Sequence, residues 1–441
     1  MKKEEFLTTL FEEFNRKNVV YFVYGEYRTL PTDTGGSDID IIIGYKDLQQ
    51  AKKIIKLLCD DNEVILSSIY TNEAGYFHRF ITITPTWGVQ IDIFIKGFMF
   101  RGISYYPMSN ASKDVIKHNG INVLRIQKGC YIGFLKEIIH LGKAKDKYIQ
   151  GFYEEVNTDL IAYKKEITDL YGDETSTIIF TNLSIEGLKI KSKDIRNAIL
   201  RHLSLLQKAT IILNKLSLFK RFIQKRPGYV IAILGTDGSG KSTIINQITP
   251  ILNEGFHNGI VYNHLRPNAI PDLGVLMGKK EKMDTPMVVS DPHAEKSSGL
   301  VGSLIRWGYY LIDYTIGYLK TVFPVIHTKS KIFIFDRYYY DYYIDQKRSK
   351  TNLPNWIIKI GELFVPKPDI ILCLGGNPEK IYQRKPETSL EEVTRQTDAL
   401  KEFCNQHKNA IWIDTCTDIQ ESTEMAMNAI CDTMKKRKFN L

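Results

Sequence analysis

The first residues of the chain set Phe6, Leu10, Phe11 and Phe14 on one side of a helical wheel, with charges between them, which predicts an amphipathic helix. From Val19 to about Tyr105 the pattern changes. Short apolar runs alternate with polar punctuation in VVYFVYG, DIDIIIG, FITITP and VQIDIFI. This spacing predicts strands of a small mixed sheet. From about Ala111 to Lys225 the period lengthens. GFLKEIIHLGKAKDKY and IRNAILRHLSLLQKATIILNKL place Leu and Ile three and four apart, which predicts helices. A basic stretch, Lys220 to Gly228, ends in Pro227-Gly228, a pair that breaks a helix. Beyond it, YVIAIL (Tyr229 to Leu234) is a continuous apolar run, suited to a strand buried on both faces of a parallel sheet. KIFIFD, DIILCL and AIWIDT repeat the pattern, with helix-like segments between them. The alternation predicts a doubly wound α/β domain.

Three regions follow: a small mixed-sheet domain over 1–110, a helical extension over 111–225, and an α/β domain over 226–441. The length, over roughly 150 residues per domain, agrees with two to three domains. Hydrophobic residues at 43% and charged residues at 25% exclude a disordered chain, a collagen-like repeat and a disulfide scaffold. Six scattered cysteines with no C-x-x-C pair argue against a zinc site and suit a reducing compartment. The formal charge of +9 permits an anionic partner without requiring one. No groove-reading or single-strand motif appears, so nucleic acid is not an expected partner. The chain opens with charges among its apolar residues, unlike a signal peptide. Leu300 to Ile326 comes nearest to a membrane span, but it holds Arg306, Asp313 and Lys320 and reads as a buried or half-buried helix. The cytoplasm is the expected compartment. Lys435, Lys436, Arg437 and Lys438 read as a solvated terminal turn.

Directly after YVIAIL stands GTDGSGKST, comprising Gly235, Thr236, Asp237, Gly238, Ser239, Gly240, Lys241, Ser242 and Thr243. It fits G-x-x-x-x-G-K-[ST]. Glycines let backbone N–H groups close round phosphates, and the helix that follows turns its positive end to them. Lys241 would reach the β and γ phosphates, and the Ser242 hydroxyl would bind Mg²⁺. A random chain of this length shows the pattern roughly once in fifty, and the flanking strand and helix make accident rarer. ATP and Mg²⁺ are therefore the expected cofactors.

The same stretch resembles the thymidylate kinase loop G-x-D-G-x-G-K-S-T. Asp336-Arg337-Tyr338, ending KIFIFD, resembles the D-R-Y motif of that family. Arg266-Pro267, after the strand-like GIVY, resembles its R-E-P segment without the Glu. NPEKIYQRKPETSLEEVTRQ resembles its Arg-rich lid, and the resemblance runs from about Tyr229 to Met434. It implies a nucleoside monophosphate kinase-like fold. It places Asp237 near the acceptor hydroxyl and Asp336 at Mg²⁺ or its water. It puts Arg337 and Arg266 on the acceptor's anionic group, and Arg384, Lys385 and Arg395 over the phosphates. Lys241, Asp237, Arg337 and Arg384 form the expected catalytic set. Arg266, Asp336, Arg337 and Tyr338 form the acceptor side, and Ser242 with Asp336 the metal site. Asp341 stands where the family has Ser. The cluster Tyr338, Tyr339, Tyr340, Tyr342 and Tyr343 either stacks on a base or sugar or packs the core, and packing is the ordinary role. The segment from His264 to His293 and the DPHAEKSSG stretch look more like a thymidylate-kinase-like family attached to surface-polysaccharide pathways.

In the N-terminal region, Asp38 and Asp40 lie two apart on a predicted strand, so both carboxylates face one way. Asp92 sits in VQIDIFI. Three converging carboxylates would need divalent cations between them, as in two-metal nucleotidyl transfer. With Gly25 upstream, this resembles the nucleotidyltransferase fold of the polymerase-β kind. Glu26 stands where that fold has Gly or Ser, and a carboxylate there repels a triphosphate. Lys136, Lys143 and Lys147 read as a solvated basic face, with phosphate contact as the alternative.

The leading expectation is an ATP-dependent phosphotransferase resembling thymidylate kinase, acting on a dTMP-like nucleoside monophosphate. One alternative is a kinase of a sugar or polyol in surface-polysaccharide assembly. Another is a metal-dependent nucleotidyltransferase with a regulatory P-loop domain. The expected partner is a small-molecule phosphate acceptor, and the resemblance adds pairing of two copies through helices.

Overall fold

The computed structural model describes residues 1–72, 74–216, 225–271, 299–437 and 439. Residues 220–224 of the basic stretch, Lys438, the part of the His264–His293 segment beyond 271 and most of DPHAEKSSG lie outside the described residues. The chain falls into two compact units, one built on Met1–Thr82 and Val89–Gln224, the other on Lys225–Lys438 with Ile83–Gly88.

The first unit contains β1 (Tyr21–Tyr24), β2 (Ile39–Ile43), β3 (Ile65–Thr71), β4 (Phe77–Ile83), β5 (Gly88–Ile95), β6 (Gly97–Phe100), β7 (Ile103–Pro107), β8 (Val115–His118) and β9 (Ile121–Leu124). Seven of them form a sheet in the order β3-β4-β5-β2-β1-β9-β8, and β6 pairs with β7 separately. The sheet is mixed, as expected: β1 runs antiparallel to β2, while β2 runs parallel to β5. The helix Lys3–Arg16 buries the predicted face, Phe6, Leu10, Phe11 and Phe14, together with Leu7. Helices Ile126–Leu141, Asp146–Val156, Leu160–Thr181, Ile185–His202 and Leu205–Leu216 follow.

The helical reading of 111–225 fails at its start. Val115–Leu124 is a β-hairpin that joins β9 in parallel to β1. Its turn is Asn119-Gly120, with φ of 48° and 79°. Two central residues at positive φ match the twist of a two-residue hairpin, so the Asn-Gly pair overrides the surrounding helical pattern.

The second unit is a doubly wound parallel sheet. Its strands are β10 (Tyr229–Gly235), β11 (Ile260–His264), β12 (Ile332–Asp336), β13 (Ile370–Gly375) and β14 (Ala410–Asp414). They lie in the order β11-β12-β10-β13-β14, every neighbouring pair parallel. The central strands β10, β12 and β13 are buried at every position, which explains their unbroken apolar text. Tyr338, Tyr339, Tyr340 and Tyr342 belong to this core. Tyr338 donates its hydroxyl hydrogen to the Pro366 carbonyl (2.8 Å) and Tyr339 to that of Ile358 (2.8 Å).

Leu300–Ile326 is not one helix. Helices Leu300–Ile312 and Tyr318–Thr328 flank a π-helical turn, Asp313–Gly317. The buried Asp313 carboxylate accepts from Arg266 (2.7 Å) and from the backbone N–H groups of Asn268 (2.9 Å) and Ala269 (2.9 Å). A charge inside an apolar stretch is thus an internal ligand for a loop. Among the described residues, no helix is long and apolar enough to cross a membrane.

Phe335 is fully buried on β12, with its ring centroid 5.1 Å from that of Phe333 and 5.0 Å from that of Tyr338. Phe335→Ala is expected to destabilise the second unit by about 3–5 kcal/mol. Urea unfolding followed by circular dichroism checks this, and an unshifted midpoint would contradict the packing described.

Candidate functional site

The carboxyl end of β10 runs into the loop Gly235–Gly240, and the helix Lys241–Gly255 begins directly after it. A side chain at Gly235 would meet the Leu374 carbonyl oxygen at 2.7 Å, and one at Gly238 the Ile381 carbonyl oxygen at 2.7 Å. Gly238 also has φ of +80°, so that position is closed to L side chains both by space and by conformation. Lys241 folds back over the loop, donating to the carbonyls of Gly235 (3.0 Å) and Thr236 (2.9 Å). The Thr236 and Ser239 hydroxyls are buried with no hydrogen-bond partner among the described residues. Such a loop, with free N–H groups at a helix start and an ammonium beside them, is built to take an anion.

A cleft of about 490 Å³ opens on this loop. Ligands in open α/β sheets sit outside the carboxyl ends of the strands, and this cleft is there. Asp336 ends β12, and in register beside it His264 ends β11. The Asp336 Oδ2 atom accepts from the Tyr262 hydroxyl (3.0 Å) and lies 3.5 Å from His264 Nδ1. Its Oδ1 atom is buried with no hydrogen-bond partner among the described residues. Arg337 follows, with φ of 70° and only 2% exposure. Its Nη2 donates to Asp237 Oδ1 (2.7 Å) and its Nη1 to Asp341 Oδ1 (2.8 Å). Arg348 donates to the other oxygen of Asp237.

The charges set one another. Burial pushes the Lys241 amine down to about 7, and the nearby Arg337 pushes the same way against the pull of Asp237. Burial alone would raise the Asp237 carboxyl, but Arg337, Arg348 and Lys241 hold it well below the usual carboxylate range. Asp336 is likewise lowered, with His264 and Lys241 outweighing its burial. Burial opposes the charge on Arg337, and Asp341 with Asp237 more than restores it.

Of the residues expected from sequence, Asp237, Gly238, Gly240, Lys241, Ser242, Thr243, Asp336, Arg337, Arg384 and Lys385 line the cleft. Arg384 donates to the Thr415 carbonyl (2.8 Å). Other expected residues are directed elsewhere. Arg266 points to Asp313 and to the Ile270 carbonyl (3.0 Å). Arg395 pairs with Glu392 (2.7 Å) and the Ile344 carbonyl (3.0 Å). Tyr338 is wholly in the core. Sequence reasoning missed Arg348 and His264, both lining residues. The register of β11 against the D-R-Y strand could have found His264. Arg348 lies in a turn beyond the short helix Asp341–Ile344, outside any regular element, so only the fold reveals it.

In the first unit, the parallel register of β2 and β5 sets Asp40 beside Asp92. Oxygen atoms of Asp38, Asp40 and Asp92 lie within 4.8 Å of one another, as the alternation required. Cations of the protein already serve them. Arg79 forks onto Asp92 with bonds of 2.8 and 2.6 Å, and Gln90 donates to Asp38 (3.1 Å). Burial raises the Asp40 carboxyl well above its usual range, against the pull of Lys136. Lys136 is therefore not on a solvated face; its ammonium lies 5.8 Å from the Tyr24 ring centroid. Glu26 is held by Arg28 through bonds of 2.8 and 2.6 Å, which lower its carboxyl to about 2. Both Asp92 oxygens already accept from Arg79, so a cation among the three carboxylates would share Asp92 with that guanidinium group.

No family model and no curated protein matches the sequence. Among solved structures, the chain is similar to thymidylate kinase from Ehrlichia chaffeensis, at 17% identity and TM-score 0.33, over 46% of this chain and 98% of that one. It is also similar to thymidylate kinase from Candida albicans, at 16% identity and TM-score 0.36, over 49% of this chain and 97% of that one.

Two outcomes follow from the charges. An anion in the loop favours the charged amine of Lys241, so anion binding at about pH 8 takes up a proton, while at about pH 5.5 this group is already charged and takes up none. Calorimetry in buffers of different ionisation enthalpy reads the difference, and Lys241→Met should abolish it. Arg79→Met strands a buried carboxylate and is expected to cost on the order of 3 kcal/mol. Thermal melts should show part of that loss restored by Mn²⁺ in the variant, and a smaller effect of Mn²⁺ on the parent.

Proposed function

We propose that the second unit is an ATP- and Mg²⁺-dependent phosphotransferase, resembling thymidylate kinase, that transfers the γ-phosphoryl group to a small-molecule acceptor. The observation that carries this reading is the loop Gly235–Gly240 with Lys241, opening on a cleft that Asp336 and Arg337 also line. Phosphoryl transfer asks a protein chiefly to position its reactants and neutralise charge. Loop N–H groups and Lys241 would hold the donor's phosphates, with Arg384 and Lys385 over them. The acceptor oxygen bonds to the γ-phosphorus as that phosphorus parts from the β–γ bridging oxygen. ADP leaves with the electron pair, and the hydroxyl proton goes to solvent.

The Ser242 hydroxyl and the Asp336 carboxylate would hold Mg²⁺, directly or through water. The unpartnered Asp336 Oδ1 fits that task. The ion, when bound, would offset negative charge on the phosphate oxygens. The resemblance points to a nucleoside monophosphate as acceptor and leaves a sugar or polyol as the alternative.

The full chain with Mg²⁺ and γ-labelled ATP, offered nucleoside monophosphates, sugars and polyols, should label at least one. Lys241→Met is expected to reduce transfer by at least about a hundredfold. The paired change Asp38→Ala, Asp40→Ala should leave it in place. The reverse pattern would move the chemistry to the N-terminal carboxylates and sink this reading.

A further inference from the structure

Resemblance gives Arg337 and Arg266 the task of gripping an anionic group on the acceptor. In the folded chain, carboxylates of the protein occupy both. Arg266 is tied to Asp313, which is 0% exposed. Arg337 is bonded at one end to Asp341 and at the other to Asp237, and the Arg337–Asp341 pair is sealed, each side chain 2% exposed. The alternation continues through Arg348, which bonds Asp237 and lies 3.4 Å from Asp345. With Asp336 on the adjoining strand end, Arg337 and Arg348 face four carboxylates, and Lys241 adds a third cation 3.9 Å from Asp237, a formal balance of −1.

Lys241 and the other two cations of the cleft stand over the loop. Lys241 caps the loop's own carbonyls, Arg384 rests on the Thr415 carbonyl, and the Lys385 side chain lies against Gly238. They suit the donor's phosphates. A dianion entering beside Arg337 would bond a guanidinium group already paired with Asp237 and Asp341, and would stand next to both carboxylates in a desolvated setting. An uncharged hydroxyl compound meets no such barrier. Its hydroxyl can donate to Asp237, which the two arginines keep ionised.

We propose that the acceptor is an uncharged polyhydroxy compound of the sugar or polyol class, and that Asp341 is the specificity-determining residue that excludes monophosphates. This rests on the phosphotransferase reading above. In the step, the acceptor oxygen bonds to the γ-phosphorus, the bond to the β–γ bridging oxygen breaks, and ADP departs. The hydroxyl proton goes to solvent.

The test is calorimetric titration of the full chain, first with ADP and Mg²⁺, then with dTMP on the loaded protein. The parent should bind ADP and show no saturable dTMP binding up to about 1 mM. Asp341→Ser, and the isosteric Asp341→Asn in case the first fails to fold, should raise dTMP affinity at least about tenfold. Micromolar dTMP binding by the parent, changed less than about twofold by Asp341→Asn, would overturn the proposal and leave the phosphotransferase reading standing. Failure to bind ADP would overturn that reading instead, and the acceptor assignment with it.

Discussion

A guanidinium group leaves water only where carboxylates receive it, and the carboxyl edge of the parallel sheet is organised round one such group. Arg337 sits at the end of a buried strand, in a left-handed backbone conformation, with its N–H bonded to the Ile233 carbonyl (2.8 Å). Its two bonds reach backward to the phosphate-binding loop and forward one helical turn to Asp341. The loop's Asp237 is thereby fixed, and Arg348 is drawn in from a later segment. Remove the central charge and four segments lose their common anchor.

The same electrostatic requirement operates with opposite sign in the first unit. There the buried charges are carboxylates, and the compensating groups are Arg79 and Lys136. Parallel register brings the carboxylates together, and a guanidinium from β4 closes them. In the second unit the partners come instead from a loop, a strand end, a short helix and the turn after it, which Arg337 and Asp237 draw together.

Much of the fold was legible because burial on both faces writes an unbroken apolar run. The three central strands of the parallel sheet were marked this way, GIVY and AIWIDT at its edges were apolar without burial on both faces, and the loop between β10 and its helix carried its own motif. Features set by turns or by distant partners were harder to read. The hairpin at Asn119-Gly120 was lost inside a helical-looking stretch, although the dipeptide itself was the signal. Asp313 looked like an impurity in an apolar helix, since nothing local shows that it ligates a loop ahead of it. Within the site, residues on the motif were legible. Arg348 was not, because a residue held by a partner 111 positions away has no local pattern. The destination of Arg266 was equally hidden, since a motif gives a residue's place on the chain but not its counter-ion.

The close approach at Gly238 carries a mechanical consequence. A carbonyl of the helix Pro378–Arg384 stands 2.7 Å from where a Cβ would lie on the loop, so loop and helix meet with no side chain between them. The loop cannot move toward that helix without pushing it. A displacement in that direction reaches the Arg384–Lys385 corner by contact alone, with no relay of side chains.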